Sequence, residues 1–339
     1  MRHCESKYLL FTGVLFSFMT ALASAAGASE AQGKAEAGYI ATHDGSKLYY
    51  EKVGAGPVII APGRLFLFDS FRQFADRNTV ISYDMRNRGK SEHIEDVKKL
   101  TIQNDVRDLE TVRQHFGVAK FSLVGYSYLG LMVAMYAMEH PDHVARIVQL
   151  GPVPLKFGTR YPPDEMQNDR DQVPNLKARQ ELEQLQKSGF AESHPEEFCE
   201  KSWAVNRFVL VGDPANVDKL GKGWCDMPNE WPVNLNKHFQ YVFTSVYNLD
   251  IPKEELKKIT MPVLTIHGTK DRNAPYGSGK EWARNLPDGR LVTIKGGAHQ
   301  SFVEYPEQVF PAIRTFMEGN WPQQAVKVTQ SQRDMSRSE

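Results

Sequence analysis

Short apolar runs recur along this chain, each bounded by glycine, proline or a polar turn, with longer stretches of helical periodicity between them. Residues 39–42 and 47–53 alternate around His43-Asp44-Gly45, which predicts a β-hairpin closed by an Asp-Gly turn. Residues 57–61, 79–83, 121–124 and 145–150 read as buried strands. Residues 66–74 predict a helix or a tight loop. Residues 100–116 carry Val106, Leu109, Val112 and Phe116 on one helical face. Residues 131–138 are apolar all round, as a buried helix would be. Alternation of this kind predicts a mostly parallel sheet with helices on both faces.

At Gly151-Pro152-Val153-Pro154 the pattern breaks. Residues 154–259 are richer in charge and lack the buried runs of strands. Residues 175–187 and 195–206 predict helices, as do residues 238–247 more faintly. Alternation resumes with strands at 263–267 and 291–295 and helices at 278–285 and 306–318. The expectation is one α/β domain, its core split into residues 38–153 and 260–321 by a helical insertion over 154–259. An insertion after the sixth strand lies beyond the carboxyl ends of the strands, where open α/β sheets bind ligands, so it reads as a cap. Trp203, Trp224 and Trp231, with Phe208, Phe239 and Phe243, supply either apolar pocket walls or the insertion's own core.

The amino terminus departs from this pattern. Arg2 and Lys7 precede an uncharged apolar run over residues 8–21, and Ala23-Ser24-Ala25 offers a small-x-small cleavage site. Residues 1–25 therefore predict a signal peptide cut after Ala25, and hence a secreted or periplasmic protein; an uncleaved anchor is the alternative. The run is too short for a comfortable membrane span. Residues 26–37 read as a linker and 322–339 as a polar, disordered tail. Export would leave Cys199 and Cys225, which form either one disulfide or two buried thiols.

A formal net charge of +0 gives no basic face for nucleic acid. No Cys-x-x-Cys pair or histidine cluster with metal spacing stands out, so neither metal nor cofactor is expected.

The candidate chemistry begins where the strand at 121–124 runs into Gly125-Tyr126-Ser127-Tyr128-Leu129-Gly130 and then a helix. A serine at the apex of a strand–turn–helix is the arrangement of a nucleophile elbow. The usual pattern is Gly-x-Ser-x-Gly; here Leu129 holds the last position and the glycine comes at 130. A serine hydroxyl needs a base, and the base an acid, in the chain order Ser, Asp, His. Asp271 follows the strand at 263–267, and His299 follows the strand at 291–295 and a glycine pair. Each alone is as well explained by a turn or capping role; together they point to a triad. The expected oxyanion donors are the N–H of Tyr128 and that of Arg64 or Leu65, in the loop after residues 57–61.

The blocks Ala61-Pro62-Gly63, Tyr83-Asp84-Met85-Arg86-Asn87-Arg88-Gly89-Lys90-Ser91, Gly125 to Gly130, His267-Gly268-Thr269-Lys270-Asp271 and Gly297-Ala298-His299 resemble the α/β-hydrolase superfamily. The resemblance spans residues 39–321, and element order and cap position are most similar to the proline iminopeptidase and epoxide hydrolase branch. Pro62-Gly63 keeps the glycine and loses the histidine often found there. Ser127 excludes the aspartate-nucleophile chemistry of epoxide hydrolases. The proline iminopeptidase blocks His-Gly-Gly-Pro-Gly and Gly-Gly-Ser-Trp-Gly are both missing.

These features predict a serine hydrolase of a small ester, amide or short peptide. An exo-aminopeptidase is the alternative; Glu196, Glu197, Glu200 and Asp213 are available to hold a peptide amine, though solvated helix faces explain them more simply. A non-catalytic binding protein of the same fold is a third reading. The oligomeric state is not legible.

Overall fold

The computed structural model describes residues 35–166 and 176–329. The expected signal peptide and most of the linker lie outside the described residues, as do residues 330–339 of the expected tail.

Eight strands form one sheet: β1 (Glu36–Ala41), β2 (Lys47–Val53), β3 (Val58–Pro62), β4 (Thr79–Tyr83), β5 (Phe121–Tyr126), β6 (Val144–Leu150), β7 (Val263–Gly268) and β8 (Gly289–Ile294). Their spatial order is β1-β2-β4-β3-β5-β6-β7-β8. The hairpin pairs β1 with β2 antiparallel and β2 joins β4 antiparallel; the other neighbours are parallel. Chain order reverses between β3 and β5. The loops leaving their carboxyl ends therefore flank a topological switch point, the usual crevice for a ligand.

Successive side chains of a strand point to opposite faces, and the two cores follow that alternation. Ile60, Ile81, Leu123, Ile147 and Val263 belong to one apolar cluster. It packs against α2 (Ile102–His115) and α3 (Tyr128–Glu139). Ile59, Val80, Val124, Val148 and Leu264 belong to the other. That face meets α1 (Arg64–Phe71) and the final helix, α8 (Pro306–Met317). α3 is buried over ten consecutive residues, Tyr128–Ala137, which accounts for its lack of a polar face.

Between β6 and β7 the chain forms α4 (Leu176–Lys187), α5 (Pro195–Asn206) and α6 (Pro232–Tyr247), with short 3-10 turns; α7 (Tyr276–Asn285) lies between β7 and β8. α6 begins six residues before the helix expected from residue 238, because Pro232 opens its first turn, where a missing N–H costs nothing.

Two expected boundaries move. Glu36 and Ala37, assigned to the linker, pair with Lys52 and Glu51 in the hairpin. The tail expected from residue 322 is structured as far as Val326, which exchanges two 2.9 Å backbone hydrogen bonds with Leu291, while Ala325 is buried. β8 is an edge strand, and its unpaired backbone groups offer that pairing.

Candidate active site

β5 ends at Tyr126 and α3 starts at Tyr128, so Ser127 alone makes the turn. Its backbone stands at φ 59° and ψ −127°, a region costly for a residue with a side chain and held only by its surroundings. The Ser127 N–H donates to Leu150 O at 2.9 Å and anchors the turn to β6. The close packing of an elbow falls on Gly125 and Gly130. A Cβ on Gly125 would meet the Leu129 carbonyl oxygen at 2.4 Å, and one on Gly130 would meet Pro152 Cβ at 3.0 Å. Leu129 is tolerated because its side chain extends toward Gly63, where a Cβ would lie 2.8 Å from Leu129 Cδ1.

Asp271 and His299, far apart in sequence, meet after β7 and β8. Asp271 Oδ2 lies 2.8 Å from His299 Nδ1. Asp271 Oδ1 accepts the N–H groups of Asn273 at 2.8 Å and Ala274 at 2.9 Å. His267 Nε2 approaches both Ala274 O, at 3.1 Å, and Asp271 Oδ2, at 3.2 Å. Both neighbours are acceptors, so Nε2 carries the proton. His267 is thus a fourth donor to the carboxylate. The strand that ends in His267 and the Asp271 turn four residues later was the signal available for it. Burial works to raise the Asp271 pKa, but the two imidazoles outweigh it and hold the carboxyl well below the ordinary range. An ionised Asp271 fixes the His299 tautomer with its proton on Nδ1, and leaves Nε2 as a base.

Ser127 and His299 line the same cavity, of about 740 Å³. No hydrogen bond joins them among the described residues; in unliganded sites such contacts are often long and tighten around substrate. Tyr128 opens α3, so its N–H has no partner within the helix. Arg64 and Leu65 open α1 in the same way. Leu65 lines the cavity, whereas the Arg64 side chain turns to Asp84 at 2.9 Å and Glu51 at 3.1 Å.

The cavity walls are mainly apolar and aromatic, with Phe66, Phe157, Trp224, Phe239, Phe243 and Tyr247 prominent. Trp203 lines a neighbouring cavity of about 420 Å³, and Phe208 and Trp231 line neither. Cys199 and Cys225 are joined as a disulfide with Cα atoms 5.7 Å apart, which ties α5 to the loop carrying Trp224.

The acids available for an amine follow the simpler reading of them. Glu196, Glu197, Glu200 and Asp213 are exposed and line neither cavity, since each sits on a solvated helix face or turn. Among the described residues of this helical segment Glu230 is the buried acid, and it is already paired: Arg88 Nε donates to its Oε1 at 2.9 Å and Nη2 to its Oε2 at 2.8 Å, with the Gly89 N–H on Oε1 at 2.8 Å. Sequence reading did not foresee this pair. Arg86 is likewise paired, with Asp108 at 2.6 Å and 2.7 Å and with Asp44 at 2.8 Å and 3.1 Å, and serves to hold the loop after β4.

Glu110, His140 and His143 also gather on the surface. The carboxylate oxygens of Glu110 are taken by Arg113, Gln114 and Tyr136, which leaves little room for a metal ion. Among the described residues no helix is long and apolar enough to cross a membrane.

Residues 56–306 match the family model described as alpha/beta hydrolase fold. A bifunctional esterase/perhydrolase of Acinetobacter calcoaceticus is 27% identical over 282 residues, covering 77% of this chain and 92% of the relative. A proline iminopeptidase of Pestalotiopsis fici is 22% identical, covering 74% and 85%. Among solved structures, an esterase from Exiguobacterium antarcticum aligns with TM-score 0.63 at 18% identity, over 84% of this chain and 100% of the other. A bromoperoxidase from Bacillus anthracis aligns with TM-score 0.62 at 21% identity, again over 84% and 100%.

Proposed function

The chain belongs to the α/β-hydrolase-fold family, and on that premise we propose that it is an exported serine hydrolase that cleaves esters of bulky apolar acids through an acyl-enzyme. The observation that carries this reading is the 2.8 Å contact between His299 Nδ1 and Asp271 Oδ2, in a cavity shared with the strained Ser127.

Ser127 Oγ attacks the ester carbonyl as His299 Nε2 takes its proton. The negative charge that develops on the carbonyl oxygen is met by the Tyr128 N–H and by an N–H from the start of α1, that of Leu65 or Arg64. Collapse of the tetrahedral adduct expels the alcohol, which receives the proton from His299. Water, deprotonated by the same imidazole, then releases the acid. Asp271 stays ionised throughout and stabilises the imidazolium. Residues 154–259 act as a cap that covers the acyl group with aromatic side chains. Export is supported by the pattern of residues 1–25 and by the Cys199–Cys225 disulfide, since such bonds persist in oxidising compartments.

The aminopeptidase reading is favoured by relatives such as the iminopeptidase. It is weakened because, among the described residues, no acid of the helical segment lines the catalytic cavity, and Glu230, which lines the neighbouring one, is paired with Arg88.

A fluorophosphonate probe and a panel of aryl esters and aminoacyl anilides test the proposal. Probe labelling and ester turnover are expected, both lost in Ser127→Ala. Labelling that persists in that variant would overturn the nucleophile, and faster cleavage of aminoacyl anilides would overturn the ester class. Tight ligand binding without turnover would return the protein to the binding-module reading.

A further inference from the structure

Arg88 lines the catalytic cavity although its side chain is only 4% exposed. Two features immobilise it. Its Nε and Nη2 form a two-pronged contact with Glu230. Its guanidinium carbon lies 5.2 Å from the centre of the Phe66 ring and 5.2 Å from that of Phe239, so aromatic groups of the core and of α6 both pack on it. The remaining nitrogen, Nη1, donates to no acceptor among the described residues, yet it is not among the buried, partnerless atoms. A rigid donor edge is therefore left open on a mainly apolar wall.

Resting on the serine-hydrolase reading above, we propose that Arg88 is a specificity-determining residue, its Nη1 donating to a neutral carbonyl or amide oxygen that the substrate carries away from the scissile ester. Neutrality follows from the surroundings. Glu230 already balances the guanidinium charge in a place with little water to screen a further ion. Asp84, whose Oδ1 is buried without a partner, lines the same cavity and would repel a second carboxylate. An uncharged acceptor satisfies the open donor without adding a buried charge. A purely hydrocarbon acyl chain would cover the donor and strip its water without replacing the hydrogen bond.

The test is a series of p-nitrophenyl esters of equal chain length. An oxo group is walked along the acyl chain, and the all-methylene parent and an ω-carboxylate serve as comparisons. For the wild-type protein one oxo position is expected to raise kcat/KM about tenfold over the parent, as a hydrogen bond to a charged donor would. The carboxylate ester should gain nothing. In Arg88→Met/Glu230→Leu, which replaces the pair by apolar groups, the oxo preference should fall to within about twofold. The readout is the ratio between esters within each protein, so a general loss of activity does not obscure it. Should the variant fail to fold, the wild-type series decides alone. Equal rates for parent and all oxo esters would overturn the inference while leaving the hydrolase intact. So would preference for the carboxylate, or an oxo preference that survives the double substitution. Absence of both ester turnover and serine labelling would instead overturn the hydrolase reading, and the inference with it.

Discussion

Leu129 and Gly63 are complementary: the leucine at the elbow fills the space that a side chain at position 63 would require, with Cδ1 2.8 Å from where that Cβ would stand. Residue 63 precedes the helix whose first N–H groups are the proposed oxyanion donors, and its φ of 84° is left-handed. The pair thus couples the nucleophile turn to the donor loop. Gly63→Ala should lower kcat/KM at least about tenfold, mainly through kcat, as expected when a transition-state donor is displaced. Adding Leu129→Ala should recover part of the loss by removing the clash. The backbone strain, about 1 kcal/mol, would remain. Steady-state kinetics on one aryl ester measure both effects, and a double variant no better than Gly63→Ala would refute the coupling.

Asp271 receives four donors and is held ionised. Asp271→Asn would present an amide to His299 Nδ1 and favour the wrong tautomer. Turnover is expected to drop by on the order of 10³–10⁴-fold with little change in KM. A loss under about tenfold would remove Asp271 from the proposed mechanism.

Arg88 and Glu230 join the loop after β4 to the turn before α6, 142 residues apart. Removing one member of so enclosed a pair leaves an unbalanced charge. Glu230→Ala should therefore cost about 3–5 kcal/mol in urea unfolding, whereas Arg88→Met/Glu230→Leu should cost clearly less. Equal losses in the two variants would mean that the ion pair itself, rather than the unpaired charge, controls stability here.

Asp105 on α2 is fully buried, and its Oδ2 has no partner. Burial, reinforced by the neighbouring Asp108 charge, raises its pKa well above the ordinary value, against a smaller opposing pull from Arg86. A carboxyl whose folded pKa is raised keeps its full stability below the unfolded value near 4 and loses it as pH rises toward the folded value. Asp105→Asn escapes that penalty. The variant's stability advantage over wild type should grow as pH rises above about 4, the unfolded value. Thermal melts at matched ionic strength report it, and a pH-independent difference would show that Asp105 ionises freely in the fold.

Much of this protein was legible in the chain because the signals are local. A strand can be recognised from its own apolar run, and an elbow from a serine set between that run and a buried helix. Ser127, Asp271 and His299 could be named as candidates because each follows such a run, in the order this fold uses. Tertiary structure alone decided what depends on distant partners. Glu196, Glu197, Glu200 and Asp213 could be read in sequence as solvated helix-face acids, and all four do face solvent, but burial is not written in residue type. Glu230 looks no different from them, yet its place opposite Arg88 makes it a buried counter-ion. The departure at Leu129 is likewise settled not by its own neighbours but by a missing side chain more than sixty residues earlier, because close packing is a property of surfaces brought together by the fold.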